Sequence, residues 1–156
     1  MSNLILENWH GKKRKLPGID SISYPDGRVT ILNFCSLYDS ATKKRELFCA
    51  PLCDTNIESI EKYNAAYWTV VDEWASIPYM GGKIYGGDGA MGNEGFIAYA
   101  DAEDNLVWGM FFESTNPIKN LEIKGSTLVA INEHDELQLE INLDNLSEIK
   151  VVVVEN

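Results

Sequence analysis

Basic residues, histidines and long hydrophobic runs are all scarce in this sequence. Its 156 residues include 13 Lys and Arg against 24 Asp and Glu, so the formal net charge is −11 at pH 7. No apolar stretch reaches the ~18 residues that a membrane-spanning helix needs, and the first residues lack the basic and apolar regions of a signal peptide. We therefore expect a cytoplasmic protein that binds neither nucleic acid nor an anionic membrane, because an acidic surface repels both.

Cysteine is also rare and odd in number, which excludes a complete disulfide framework. Cys35, Cys49 and Cys53 are expected to be reduced thiols. A zinc site built from them with His10 or His134 would lack the closely paired ligands of a structural zinc knuckle. We expect neither a metal nor another cofactor.

Motifs for catalysis are missing as well. The two histidines lie outside any recognisable catalytic setting, and the sequence has no Gly-x-Ser-x-Gly elbow and no His-Glu-x-x-His pair. Carboxylates are abundant, but a general acid and base are defined by their separation in space, which the sequence does not give. The expectation is that the protein is not an enzyme, with an unrecognised hydrolase that uses paired carboxylates as an alternative.

Hydrophobic residues make up 45% of the chain and aromatic residues 10%, enough for one domain over residues 1–156 with a real core. Short apolar runs separated by turn residues predict strands along most of the chain, with a turn at Pro25–Gly27. Val107–Phe112 and Val151–Val154 are apolar throughout, which predicts strands that are central or covered on both faces. The predicted strands are 4–9, 19–24, 29–35, 47–50, 96–100, 106–112, 121–123, 128–131, 137–143 and 149–154.

One segment has the periodicity of a helix. Thr55 and Glu58 form a capping-box pattern, an apolar stripe follows over about five turns, and Pro78 with the glycines beyond it ends the predicted helix. Asp72 and Glu73 fall off the apolar stripe of this helix, facing water. The predicted fold is α+β: a single domain with a largely antiparallel, curved β-sheet (meander) packed with one long α-helix. The apolar stripe consists of Ile57, Ile60, Tyr63, Tyr67, Val70 or Val71, and Trp74.

A glycine-rich segment, Met80–Gly95, contains Gly87–Gly92, which matches the G-x-G-x-x-G pattern of dinucleotide-binding turns. The dinucleotide interpretation requires a helix at the third glycine, but Phe96–Ala100 has the pattern of a strand. We therefore predict a long glycine-rich loop that contacts a partner instead of cradling a phosphate.

Acidity is concentrated in the second part of the chain. Residues 1–62 hold nine Lys and Arg against eight Asp and Glu, whereas residues 63–156 hold four against 16. The basic run Lys12–Lys15 is interpreted as a solvated turn, with nucleic-acid contact as the alternative. A negative field of this kind attracts basic partners, although it also serves solubility.

The segment Gly92–Pro117 (GNEGFIAYADAEDNLVWGMFFESTNP) resembles a hairpin of small cytosolic immunity proteins from bacterial polymorphic toxin systems, including contact-dependent growth inhibition. The resemblance implies a protein without enzymatic activity that binds a cognate toxin domain, often a nuclease, and blocks its active site or substrate surface.

Such a partner is basic because a nuclease holds a polyanion. We place the toxin-facing surface on the glycine-rich loop, the turn after Ala100 and the end of the predicted helix, with tyrosines as aromatic anchors. A small-ligand-binding protein with the glycine loop as a lid is a further alternative, and the oligomeric state is left open. The candidate partner-binding residues are Asp72, Glu73, Tyr79, Tyr85, Asp88, Glu94, Asp101, Glu103 and Asp104.

Overall fold

The computed structural model describes residues 4–63 and 67–154, and the protein is mostly β. Strands take up 58% of the described residues and helices 9%. In chain order the elements are α1 (Leu4–Trp9), β1 (Lys15–Pro17), β2 (Ser21–Ser23), β3 (Arg28–Asp39), β4 (Lys44–Asn56), α2 (Ile57–Tyr63), β5 (Trp68–Val70), β6 (Asp72–Tyr79), β7 (Gly82–Asp88), β8 (Gly95–Ala100), β9 (Leu106–Phe112), β10 (Ile118–Lys124), β11 (Thr127–Asn132), β12 (Leu137–Asn142) and β13 (Ile149–Val153).

Eleven strands form one sheet, in the order β10-β11-β12-β13-β4-β3-β2-β9-β8-β7-β6, and β1 pairs separately with β5. Neighbouring strands in the sheet are antiparallel. The sheet curves until its edge strands β6 and β10 pack against each other, so it is nearly closed and barrel-like. The curved antiparallel sheet was correctly predicted from the turn spacing.

Two hydrophobic cores lie on opposite faces of this sheet. The inner core fills the concave side, with Ile97, Met110 and Leu139 fully buried. The outer core lies under α1, β1, β5 and α2, and Phe96 and Phe111 reach it from β8 and β9. Because successive side chains of a strand point to opposite faces, β8 and β9 supply both cores.

The prediction for β9 is confirmed, since Trp108–Phe112 is buried without interruption. For the last strand the prediction of a central position is correct, since β13 lies between β12 and β4, but the strand is not covered on both faces: Val153 is 37% exposed, and β13 is joined to β4 by a single register pair. β13 stays paired with β12 over five residues, but it separates from β4 after the first pair, which leaves its far end partly exposed.

The long helix is the main error of the predicted fold. Only Ile57–Tyr63 is helical, and Asn56 Oδ1, not Thr55, accepts the capping hydrogen bond from Ser59 N–H at 2.8 Å. Strands β5 and β6 occupy the rest of the segment as far as Tyr79, while Asn64–Ala66 lies outside the described residues. Trp68–Val71 is rich in β-branched and aromatic residues that favour a strand, and Val71 N–H donates to Arg14 O at 2.9 Å.

The first predicted strand is wrong too, because Leu4–Trp9 forms helix α1. Ile5 and Trp9, one helical turn apart, are both buried in the outer core. Packing of this face decides the structure of a segment too short to be a stable helix alone. The predicted α+β class is therefore wrong: the fold is a mostly-β sheet with two short helices among the described residues.

The glycine-rich segment is mainly a strand and not a long loop, since Gly82–Asp88 forms β7. A side chain at Gly87 would overlap the carbonyl oxygen of Asp72, and one at Gly82 would overlap that of Ala100. The glycines thus let neighbouring backbones approach closely. The predicted turns at Pro25–Gly27 and 101–105 are present. Within the described ranges, no helix has the length and apolar character to cross a membrane.

Candidate partner-binding surface

Most candidate residues occupy two ends of the β6–β7–β8 region, and Tyr85 lies between the two groups, opposite Ser76. Asp72 lies opposite Asp88 at one end of the β6–β7 pair, and Tyr79 lies opposite Gly82 at the other. The turn after Ala100 adjoins the Gly82 end, because Lys83 pairs with Ala100. Since a strand rises about 3.3 Å per residue, the two groups are roughly 20 Å apart. A single small contact does not cover both.

In the β8–β9 turn, the Asp101 carboxylate is hydrogen-bonded to the backbone of the turn itself. Asp101 Oδ1 accepts hydrogen bonds from Glu103 N–H at 3.0 Å and Asn105 N–H at 2.9 Å. Asp104 has a positive φ of 63°, which a short polar residue tolerates. Glu103 is exposed, so it is the acid of this turn that is most open to a partner.

Asp104 is already paired with a cation from the N-terminal segment. Arg14 Nη2 lies 2.6 Å from Asp104 Oδ2, and Tyr85 donates its hydroxyl to Asp104 Oδ1 at 3.1 Å. The guanidinium carbon of Arg14 sits 4.4 Å from the ring centroid of Trp9 and 4.9 Å from that of Tyr85. Trp9 Nε1–H donates to Asp104 O at 3.0 Å. This Arg14 cluster (Trp9, Arg14, Tyr85 and Asp104) fixes α1 against the sheet, and the basic run is therefore not wholly solvated.

Tyr79 and Glu94 also have internal partners. The Tyr79 ring packs edge-on against Tyr99, with centroids 5.0 Å apart, at the margin of the inner core. Glu94 Oε1 accepts a hydrogen bond from Met91 N–H at 2.9 Å and shapes the loop between β7 and β8. Both side chains are half-buried.

A different set of carboxylates lies where the sheet closes, and among the described residues none of them forms an ion pair with Lys or Arg; Glu133 has only His134 Nε2 nearby, at 3.7 Å. We call Asp72, Glu73, Asp88 and Glu133 the acidic edge. Asp72 and Glu73 are exposed, and Asp88 is half-buried with its Oδ1 atom lacking any hydrogen-bond partner. Burial raises the pKa of Asp88, a hydrogen bond from Trp74 opposes that rise, and the neighbouring charges of Asp72 and Glu133 add to it.

Trp74 lies among these acids and was missed as a surface residue. The helical periodicity placed it on a buried stripe, but it belongs to β6 and is 46% exposed. Trp is among the residues that contribute most to protein interfaces. Pro78 did not distinguish the two structures, because proline is compatible with an edge strand as well as with the end of a helix.

A cavity of about 390 Å³ lies beside the acidic edge. Its walls include the basic run 12–14 on one side and Asp72 and Glu73 on the other. Trp9, Tyr85 and Phe96 contribute apolar surface. The structure thus brings Asp72, Glu73 and Tyr85 together around one opening of mixed charge.

One close carboxylate pair lies elsewhere, between β2 and β9. Glu113 N–H donates to Asp20 Oδ1 at 2.7 Å, and Asp20 N–H donates to Glu113 Oε2 at 3.2 Å. Burial raises the pKa of Asp20 to about 6, and the charge of Glu113 adds to the rise. No local pattern predicts this pair, since 92 intervening residues separate its members.

The thiols and other possible metal ligands do not form a site. Cys35, Cys49 and Cys53 are all free, and burial raises the pKa of Cys49 to about 12. No group of His, Cys, Asp or Glu within residues 4–63 and 67–154 is arranged to hold a metal ion.

Comparisons of the chain with protein-family models, with curated proteins and with solved structures find no match.

Proposed function

We propose that this protein is an acidic immunity protein that binds and neutralises a cognate basic toxin domain, of the nuclease kind, by covering its active site or substrate surface. In this proposal the protein is not an enzyme, needs no cofactor and acts in the bacterial cytoplasm. The proposal rests on the charge of the chain and on the acidic edge.

The acidic edge is the observation that carries it. Asp72 and Asp88 are direct cross-strand partners, an arrangement that is unfavourable for two like charges. Within the described ranges, neither they nor Glu73 form an ion pair with a Lys or Arg side chain. A surface that keeps such repulsion is suited to a partner that supplies the missing positive charge.

The chemistry of the edge favours a guanidinium or ammonium group. The exposed carboxylates of Asp72 and Glu73 would accept hydrogen bonds from it, and the exposed face of Trp74 would stack on it. Asp88 Oδ1 is itself buried and adds negative charge beneath them. A nuclease carries such groups in its substrate groove, so carboxylates placed there compete with the polyanion. Electrostatic steering would also raise the rate of capture.

The two alternatives have less support. The glycine-rich lid of a ligand-binding protein is absent, because residues 82–88 form part of the sheet wall. Asp20 and Glu113 bring two carboxylates near each other, as a carboxylate hydrolase would require, but each carboxylate accepts the other residue's backbone N–H. This pair links two strands and lines none of the cavities described here.

The test is a pull-down from the native cells with tagged protein and washes of increasing salt. The expected result is a stoichiometric basic protein that is released as salt rises and whose toxic activity this protein suppresses. Retention of no protein even at low salt would count against the proposal.

A charge-reversed variant locates the surface. Asp72→Lys with Glu73→Lys should weaken binding of the captured partner by at least tenfold and reduce its salt dependence. Glu7→Lys with Asp144→Lys is the control, since it changes the net charge equally at exposed sites away from the edge. Equal losses in both variants would show that total charge, and not the acidic edge, governs binding.

A further inference from the structure

The joint between β4 and β13 is incomplete. Ile149 pairs with Cys49, and this is the one register pair between the two strands. In antiparallel register the next pairs would be Val151 with Leu47 and Val153 with Arg45, but neither forms. The strands diverge beyond the first pair.

Because β4 and β13 diverge, backbone N–H and C=O groups of both strands point into the space between the two strands. Val154 N–H donates to Glu136 O at 2.9 Å and Asn142 N–H donates to Glu148 O at 3.1 Å, so the even-numbered residues of this segment bond toward β12. Because bonding alternates between the two edges of a strand, Val151 and Val153 point their N–H and C=O groups toward β4. The corresponding groups of Arg45 and Leu47 face them across the opening.

This opening, the β4–β13 gap, has a volume of about 600 Å³ and is walled by residues 44–50 and 149–153. Two apolar side chains at its walls are poorly covered: Phe48 is 45% exposed and Val153 is 37% exposed. Unpaired strand edges with apolar neighbours are the usual template for adding a further strand.

The charge of the gap is opposite to that of the molecule. Lys44, Arg45 and Lys150 line it against a single acid, Glu46. Among the described residues none of these three cations forms an ion pair. The gap is therefore a local basic site in a chain of net charge −11, and its cations lack acidic partners within the described part of the chain.

We propose that the β4–β13 gap binds an extended, acidic segment of a partner protein by β-strand addition. Backbone groups of the segment would satisfy those of Val151 and Val153, and its carboxylates would meet Lys44 and Lys150. This inference is independent of the acidic edge, since it concerns another surface and a partner segment of opposite charge.

Alternation along the walls specifies the segment further. Leu47 and Val151 face the inner core, so Lys44 and Lys150, an odd number of residues away from them, face outward. A strand in the gap would therefore carry apolar residues inward and acidic residues outward, in strict alternation. Because β4 and β13 are antiparallel to each other, the added strand is antiparallel to only one of them.

The test is fluorescence anisotropy with a labelled peptide of nine residues that alternates Glu and Val. We expect saturable binding to the full-length protein, with at least tenfold weaker binding of a peptide that alternates Lys and Val. A third peptide, in which proline replaces alternate Val residues, removes backbone donors and should also bind at least tenfold more weakly. Equal binding of all three peptides, or no binding of the first, would overturn the proposal.

Protein variants assign the binding to the gap. Lys44→Glu with Lys150→Glu should lower the affinity for the Glu–Val peptide at least tenfold, whereas Lys62→Glu with Lys83→Glu, the same charge change at exposed sites outside the gap, should leave it within about twofold. Circular dichroism of both variants checks that they fold. Equal effects of the two variants would overturn the assignment.

Sedimentation of the protein without peptide tests for the competing occupant, a second copy of the chain. We expect no concentration-dependent dimer that depends on the gap. A dimer that Lys44→Glu with Lys150→Glu abolishes would overturn the proposal and show that the gap is a self-association site.

Discussion

Strands β8 and β9 and the outer part of the β3–β4 hairpin both contain apolar residues, but these are buried to very different extents. Ile97 and Met110 of β8 and β9 are fully buried, whereas Leu37 and Tyr38 of β3 are among the most exposed large side chains of the described residues. Strands β8 and β9 are covered on both faces, whereas the hairpin extends past its neighbours although β3 and β4 lie in the middle of the strand order.

The difference shows what covers a strand in this protein. The outer face of β8 and β9 is buried because α1, β1, β5 and α2 lie over it, and the inner face because the sheet curves round it. The hairpin has neither kind of cover beyond Cys49, where its contact with β13 ends. Four substitutions would sharpen or break this comparison.

The largest loss of stability is expected where the backbones of β6 and β7 approach each other most closely. Gly87→Val places a side chain against the Asp72 carbonyl, so β6 must separate from β7. The free energy of unfolding should fall by about 4 kcal/mol or more, measured by urea denaturation. Gly92→Ala, in the nearby loop where no atom lies within 4 Å of the added carbon, should change it by less than about 0.5 kcal/mol.

A cavity in the inner core should lower the free energy of unfolding slightly less. Ile97→Ala removes a fully buried side chain and should lower the free energy of unfolding by about 3 kcal/mol. Leu37→Ala on the hairpin, where the side chain is 59% exposed, should change it by less than about 0.5 kcal/mol. Similar losses in both variants would mean that the hairpin is covered in solution.

The Asp20–Glu113 link predicts a pH dependence. The pKa of Asp20 in the folded protein is about 6, above its ordinary value of 3.8, so its contribution to stability is largest below pH 4 and decreases as the pH rises to about 6. Asp20→Asn keeps the acceptor for Glu113 N–H without the charge. Relative to the wild type, it should gain about 1–2 kcal/mol at pH 7 and nothing near pH 3, allowing for solvent screening.

Asp26→Asn is the control for that experiment. Hydrogen bonds from the Arg28 backbone and side chain lower the pKa of Asp26, so its removal should reduce stability near neutral pH and not increase it. A gain of equal size in both variants would attribute the effect to net charge.

The smallest effect concerns the two arginine pairs. Arg14→Lys should lower the free energy of unfolding by about 1 kcal/mol, because lysine loses the paired contacts to Asp104 and the stacking on Trp9. Arg28→Lys disrupts a similar but more exposed pair with Asp26 and should cost less than about 0.5 kcal/mol. Equal losses would show that the Arg14 cluster behaves as ordinary surface charge.

The turns and period-2 strands were predictable because local chemistry sets them. Asp101 and Pro25–Gly27 define their turns through neighbouring backbone groups, and Leu137, Leu139 and Ile141 alternate as expected of a half-buried strand. These features need no information about distant parts of the chain.

The errors came from segments whose structure depends on remote contacts. The run from Ile57 to Trp74 has a helical period, but pairing of Trp68–Val70 with β1 and of Asp72–Tyr79 with β7 overrides it. The exposure of Trp74 and the Asp20–Glu113 link also depend on pairings across the fold. The charge asymmetry that motivated the candidate surface was visible in the sequence. The sequence did not show that part of this charge gathers at the acidic edge, where the sheet closes.

The place of β2 in the sheet has a consequence for synthesis of the protein. Ser21–Ser23 pairs with Gly109–Phe111, so a strand made near the start of the chain has no partner on that side until the ribosome has passed residue 111. The β2–β4 unit sits between the β6–β9 and β10–β13 meanders and joins them. Such distant pairings slow folding, because a long loop must close before the contact forms. The nascent chain therefore spends most of its synthesis with an open sheet edge, and completion of the sheet is a late event that follows translation of β13.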